Sequence, residues 1–201
     1  MTTLTQRPVL SEVFGADAGT QLRVKQAILV VLGIAALTIA AKIKVPMWPS
    51  PVPVTLGTFA VLSIGAAYGA GLGLVTILGY MLIGAIGFDV FASSSAETNG
   101  IAYMMGGTGG YLLGYVLATI ALGWAARKGW DRSILTMGLA MLVGNALIYI
   151  PGVLWLHQFA SGWPQTFEWG LTPFLIGDGI KLALAALLFP AIWKLVGKAR
   201  T

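Results

Sequence analysis

The chain has 201 residues, 57% of them hydrophobic and 9% charged, whereas a soluble domain carries about 25% charged residues. A soluble fold is therefore excluded, and one membrane domain uses up the length. There are no cysteines, which excludes a disulfide framework, thiolate catalysis and thiolate-held metal. The net charge of +5 comes from basic residues grouped at loop ends, a pattern that reads as membrane orientation and not as nucleic-acid binding.

Hydrocarbon offers backbone polar groups no partner, so a spanning segment must be helix or closed barrel. The apolar runs here are continuous, unlike the alternating segments of about ten residues that build barrels. The expected architecture is an all-α integral membrane protein with six transmembrane helices. Residues 1–25 form a polar cytoplasmic segment, too polar and followed by too long an apolar run for a signal peptide. The spans are expected at about 26–42, 54–68, 71–88, 108–126, 134–156 and 171–193, within a six-helix transmembrane domain of 26–193, and 194–201 is a basic cytoplasmic tail. Only Gly69-Ala70 separates the second and third spans, which predicts an antiparallel hairpin.

The first span is rich in small residues, and Ala36 and Ala40 are spaced four apart, as in helix faces that allow close approach. After it comes Pro46-Met47-Trp48-Pro49-Ser50-Pro51-Val52-Pro53. Four prolines fix an extended, stiff segment, either a lid across a cavity mouth or an interfacial connector with Trp48 in the aromatic belt. The second long loop runs through Ser93-Ser94-Ser95 and Asn99-Gly100 into Gly106-Gly107-Thr108-Gly109-Gly110-Tyr111. No lysine follows these glycines, so a phosphate cradle is not supported; close approach of the backbone to a small ligand, or tight helix packing, is.

With both termini in the cytoplasm, Arg7, Arg23, Lys25, Arg127, Lys128, Arg132, Lys194, Lys198 and Arg200 lie inside and only Lys42 and Lys44 outside. An odd number of spans would put the last cluster on the wrong side.

No catalytic set assembles. The one histidine, His157, sits at the end of the fifth span without a neighbouring acid or nucleophile, and no spacing resembles a metal site. Polar residues at bilayer depth say more. In the fifth span Asn145 and Tyr149 share a face, and Asn145 is either interhelical glue or a ligand contact. Tyr149 and Trp155, six apart, point to different faces unless Pro151 realigns the helix. In the sixth, Gly177-Asp178-Gly179-Ile180-Lys181 places two opposite charges three positions apart on one helix face. Each charge costs at least about 2.5–3.5 kcal/mol at the bilayer centre, so the pair must neutralise itself or meet a ligand. The flanking glycines thin the helix surface and admit a bulky group. Asp178, Lys181, Tyr149 and Trp155 are thus the candidate walls and floor of one pocket, against the plainer alternative of a structural ion pair.

The chain resembles the biotin-specific S components, the BioY family, of energy-coupling factor transporters. The resemblance rests on Pro51-Val52-Pro53-Val54-Thr55-Leu56-Gly57-Thr58-Phe59, on Gly84-Ala85-Ile86-Gly87 with Phe91-Ala92, on Gly107-Thr108-Gly109-Gly110-Tyr111-Leu112-Leu113-Gly114-Tyr115, and on Pro173-Phe174-Leu175-Ile176-Gly177-Asp178-Gly179-Ile180-Lys181. It departs at Gly57, where the family often has Gln, and at Gly107, where Pro is usual. It implies the S-component fold in a bacterial cytoplasmic membrane, biotin as the substrate, no enzyme activity and no cofactor or metal. It adds Thr55, Asn99 and Tyr103 to the candidate biotin contacts. The implied partners are a transmembrane coupling protein, for which Ala36 and Ala40 are the candidate docking face, and two cytoplasmic ATPase subunits, since the chain has no Walker A sequence. A homo-oligomer is left open. The alternatives are an S component for another vitamin and a membrane scaffold.

Overall fold

The computed structural model describes residues 7–45, 50, 52–95 and 98–199. Its helices are α1 (Gly19–Lys42), α2 (Gly57–Ala85), α3 (Gly100–Met104), α4 (Gly109–Arg127), α5 (Ile134–Leu156), α6 (Trp163–Gly170) and α7 (Leu175–Ala199). Two short strands, β1 (Lys44–Val45) and β2 (Val54–Thr55), pair antiparallel and return the chain from α1 to α2. Among the described residues, five helical segments are long and apolar enough to cross a membrane, and one of them, α2, doubles back on itself. α2 is interrupted at Gly69 (φ 77°, ψ 172°), a conformation that favours a residue without a Cβ. There the chain folds back, so that a Cβ on Gly73 would lie 3.6 Å from the Cα of Gly65. The expected second and third spans are this hairpin.

Other boundaries differ from the sequence reading. α1 starts at Gly19 rather than at residue 26, because propensity carries the helix beyond the apolar run. The last span starts at Leu175 rather than 171; Thr172–Phe174 form a separate 3-10 turn with Pro173 near its start. The long loops also hold helices of their own, α3 in one and α6 in the other. Most of the proline-rich loop, Trp48 included, lies outside the described residues. At its return Ser50 Oγ donates to the Trp169 carbonyl at 2.6 Å, which ties the loop to α6.

α4 is the centre of the bundle and packs mainly against α2 and α5. Its glycines make this possible: a Cβ on Gly123 would stand 2.1 Å from the Ala70 amide nitrogen, and one on Gly114 would stand 2.6 Å from the Ile148 Cα. Backbones meet directly, the arrangement expected where lipid gives no hydrophobic drive to association. α7 packs against α5. α1 is peripheral: only Gly33, Leu37 and Ala41 are buried, one stripe facing α2. Ala36 is exposed and Ala40 half-buried beside that stripe.

The first and last described segments lie at one end of the bundle. Val9 is fully buried beside the Gly69 turn, Arg127 pairs with Glu12 at 2.5 Å, and Trp193 donates to Asp131 at 2.5 Å. Arg7, Arg127 and Arg132 gather there, so we call it the basic end. The opposite end holds the cavity.

Candidate ligand-binding cavity

Asp178 and Lys181 are 5% and 8% exposed, and Lys181 Nζ lies 2.7 Å from Asp178 Oδ1. Neither points to lipid. Two other helices complete the knot. From α2, the Thr58 hydroxyl donates to Asp178 Oδ1 at 3.2 Å and accepts from Lys181 Nζ at 3.0 Å. From α5, the Tyr149 hydroxyl donates to Asp178 Oδ2. Charge-assisted bonds of this kind offset the desolvation of a buried pair only when the remaining polar atoms are also bonded, and here both carboxylate oxygens are.

The knot forms the floor of a hollow of about 660 Å³ of empty space, its open mouth included. Aromatic rings from every side wall it: Tyr80 from α2, Tyr111 and Tyr115 from α4, Tyr149 from α5, and Phe91, Tyr103 and Phe174 from the connections. Phe91 stacks on Tyr103 (centroids 4.9 Å apart, planes 10° apart) and meets the edge of Tyr80 at 5.4 Å. Tyr149 stands edge-on to Tyr111 and against Phe174. A shallower hollow lined by Ser93, Ser95, Thr98, Gly106, Gly107 and Leu156 shares Val52, Tyr103 and Thr108 with the first and forms a vestibule that carries hydroxyl groups.

The sequence-derived candidates divide accordingly. Lys181, Tyr149, Tyr103 and Thr55 line the cavity. Asp178 stands one layer behind, as the acceptor that holds three groups in place. Trp155 is not among the lining residues; its indole N–H donates to the Gly106 carbonyl at 2.8 Å and braces the bend before α4. Asn99 precedes α3, half-buried, and lines neither hollow. Asn145 is buried, and its Oδ1 has no hydrogen-bond partner among the described residues.

Thr58, Tyr80, Phe91, Tyr111, Tyr115 and Phe174 line the cavity and were not singled out from the sequence. In an apolar membrane chain a tyrosine reads equally well as belt or packing. The signal available was helical register, since Tyr111 and Tyr115 are four apart on one face of α4. At Gly57 a Cβ would lie 3.1 Å from the Tyr115 hydroxyl, so glycine leaves room for this ring to reach the cavity.

Comparison with known proteins agrees with the architecture. The BioY family model matches residues 15–198. The chain is 35% identical over 167 residues to the probable biotin transporter BioY of Pyrococcus horikoshii, covering 83% of this chain and 95% of that protein. It is 33% identical to the biotin transporter BioY of Thermotoga maritima, covering 80% and 91% of the two chains. The fold matches the crystal structure of the S-component for biotin from an ECF-type ABC transporter, with a TM-score of 0.75, 20% identity, and coverage of 89% of this chain and 95% of that one. With nearly its whole length matched, this multi-pass membrane chain belongs to the BioY family.

Proposed function

We propose that the chain binds biotin in the aromatic cavity and serves its uptake as the substrate-specific component of an ECF-type transporter, as the names of its relatives imply for them. The family is a transporter component and not an enzyme. The observation that carries the reading is the polarity of the cavity floor. The Thr58 and Tyr149 hydroxyls spend their protons on Asp178, so their remaining lone pairs are acceptors. The Lys181 ammonium has three N–H donors, two of them engaged by Thr58 and Asp178; the third is a donor beside those acceptors. A cyclic urea has the complementary set, two N–H donors flanking a carbonyl. In this pose the ureido ring of biotin lies on the floor and its thioether ring lies among Tyr80, Phe91, Tyr103 and Tyr115. The valerate carboxylate then extends into the vestibule toward Ser93, Ser95 and Thr108. Thr55 borders the ring, while Asn99 and Trp155 act by shaping the two loops that frame the opening.

The basic end then faces the cytoplasm, in accord with the positive-inside bias, and the cavity opens outward. The partners of this reading are a transmembrane coupling protein docking on the exposed α1 face at Ala36 and Ala40, and two ATPase subunits.

Equilibrium binding of labelled biotin to the purified chain tests it, with a dissociation constant below about 1 µM expected. Lys181→Met should weaken binding about 100-fold, as expected for loss of a hydrogen bond from a charged group. Absence of binding below that concentration rejects biotin, and mass spectrometry of copurifying small molecules then identifies the vitamin bound instead.

A further inference from the structure

One wall of the cavity is not part of any spanning helix. It is the stretch from Asp89 to Ser95, which carries Phe91. The ring is 1% exposed, and its tip fills the space where a Cβ on Gly84 would lie, 2.1 Å away. Little local structure holds this stretch: no described helix or strand covers it. Side chains grip its carbonyls instead. Tyr80 donates to the Val90 carbonyl at 3.0 Å, Lys42 to the Phe91 carbonyl at 2.7 Å, and Lys44 to the Ala92 carbonyl at 3.1 Å. Lys42 also pairs with Asp89 at 2.5 Å, and the Ser94 hydroxyl lies 2.5 Å from the same Asp89 oxygen and 3.0 Å from the Phe91 carbonyl.

We infer that Lys42 is a positioning residue for ligand retention: its ammonium clamps the Phe91 wall shut over the bound ring and makes that wall move with α1. The inference rests on the biotin reading above for its ligand. Lys42 touches no cavity surface itself, and it binds the carbonyl of the residue whose ring does. Two of the three carbonyl grips come from Lys42, the last residue of α1, and from Lys44 in the strand β1 that directly follows it, and α1 buries only one stripe against the bundle. The same end of α1 is tied to the cavity by the β1–β2 pairing, where Lys44 stands opposite Thr55. A displacement of α1 relative to α2 therefore pulls on the Phe91 wall and on Thr55 together. A floor mutation removes ligand contacts and weakens capture. Loss of the clamp leaves the contacts in place and shortens their lifetime.

The test uses the full purified chain in lipid nanodiscs, with two readouts. The first is the association and dissociation rate of labelled biotin. Lys42→Met is expected to raise the dissociation rate about tenfold with association changed less than about threefold, as is usual when an interface loosens. Lys42→Arg, which keeps the charge and its donors, should recover most of the residence time. The second needs no ligand. The chain has no cysteine, so Val90→Cys puts a single thiol at a buried wall position. Its maleimide labelling is expected to be slow alone and about tenfold faster with Lys42→Met added. Ser94→Ala, which removes the hydroxyl's contacts with Lys42, Asp89 and the Phe91 carbonyl, should shift both readouts the same way and serves if Lys42→Met does not fold. Unchanged labelling and unchanged dissociation in a folded Lys42→Met protein overturn the clamp. If the parent chain does not bind biotin yet the labelling responds, the clamp stands and the choice of vitamin falls.

Discussion

The two ends of the bundle use the same helices in opposite ways. At the basic end α2 and α4 touch backbone to backbone, through Gly65 on Thr119 and Gly123 on Ala70, and Gly73 takes the Thr119 side-chain methyl. The buried Val9 closes the turn at Gly69. Toward the other end the same pair of helices carries Tyr80, Tyr111 and Tyr115, whose rings line a hollow. A membrane bundle gains little from burying one apolar chain against another, since lipid is as apolar as either. Between α2 and α4, close glycine packing supplies the attachment at the basic end and leaves this pair free to line a cavity at the other. Stability and binding should therefore be separable by mutation.

The largest effect is expected at the cavity floor. Asp178→Asn leaves the Lys181 ammonium buried without its counter-charge, which should cost about 3 kcal/mol or more together with nearly all biotin affinity. The double variant Asp178→Asn/Lys181→Met removes both charges. Its thermal unfolding in detergent should return close to the parent's while binding stays lost. A double variant as unstable as the single one would mean that the knot holds the bundle together and the two ends are not independent.

A smaller effect, confined to stability, is expected from Gly123→Leu. The added side chain meets the backbone at Gly69 and Ala70, and overpacking of this kind costs about 1–3 kcal/mol. Biotin affinity of the folded fraction should change less than about twofold. A parallel loss of affinity would show that helix spacing at the basic end sets the cavity width.

The smallest effect concerns the N-terminal segment. The Arg127 guanidinium hydrogen-bonded to Glu12 holds its carboxyl below the ordinary glutamate range, against an opposing push from partial burial. A carboxyl with a lowered folded pKa adds stability above its unfolded pKa and loses it as the pH falls through the folded value. Both partners are partly exposed, so the contribution is at most about 1 kcal/mol. Unfolding curves of the parent and Glu12→Gln should differ by this small amount near neutral pH and draw together as the pH falls below the ordinary glutamate range. A gap that does not narrow as the pH falls below that range would assign the effect to packing of the segment and not to charge.

How much of this was legible beforehand depends on the kind of residue. The Asp178–Lys181 pair stood out because a charge in hydrocarbon needs a reason, and its partners were constrained to the bundle interior. The hairpin at Gly69 was legible because two apolar runs with two residues between them can only fold back. The rings of Tyr80, Phe91 and Tyr115 were not: aromatics serve the belt, the packing and a ligand equally well, and only the mutual placement of α2, α4 and the 89–95 stretch decides among these. Asp178 itself shows the same limit. Its burial was predictable, but its place one layer behind Lys181, Thr58 and Tyr149 depended on what α2 and α5 bring to it.

Composition and periodicity alone therefore determined the solvent of this chain, the number of crossings and the one place where charge had to be reconciled with lipid, because those follow from transfer free energies summed along a single segment. Which side chains share a cavity, which lysine grips the loop that walls it and which end of the bundle is closed were decided only in three dimensions. These depend on distances between segments far apart in the chain, as from Thr58 to Lys181, 123 residues on, and no local sum contains them.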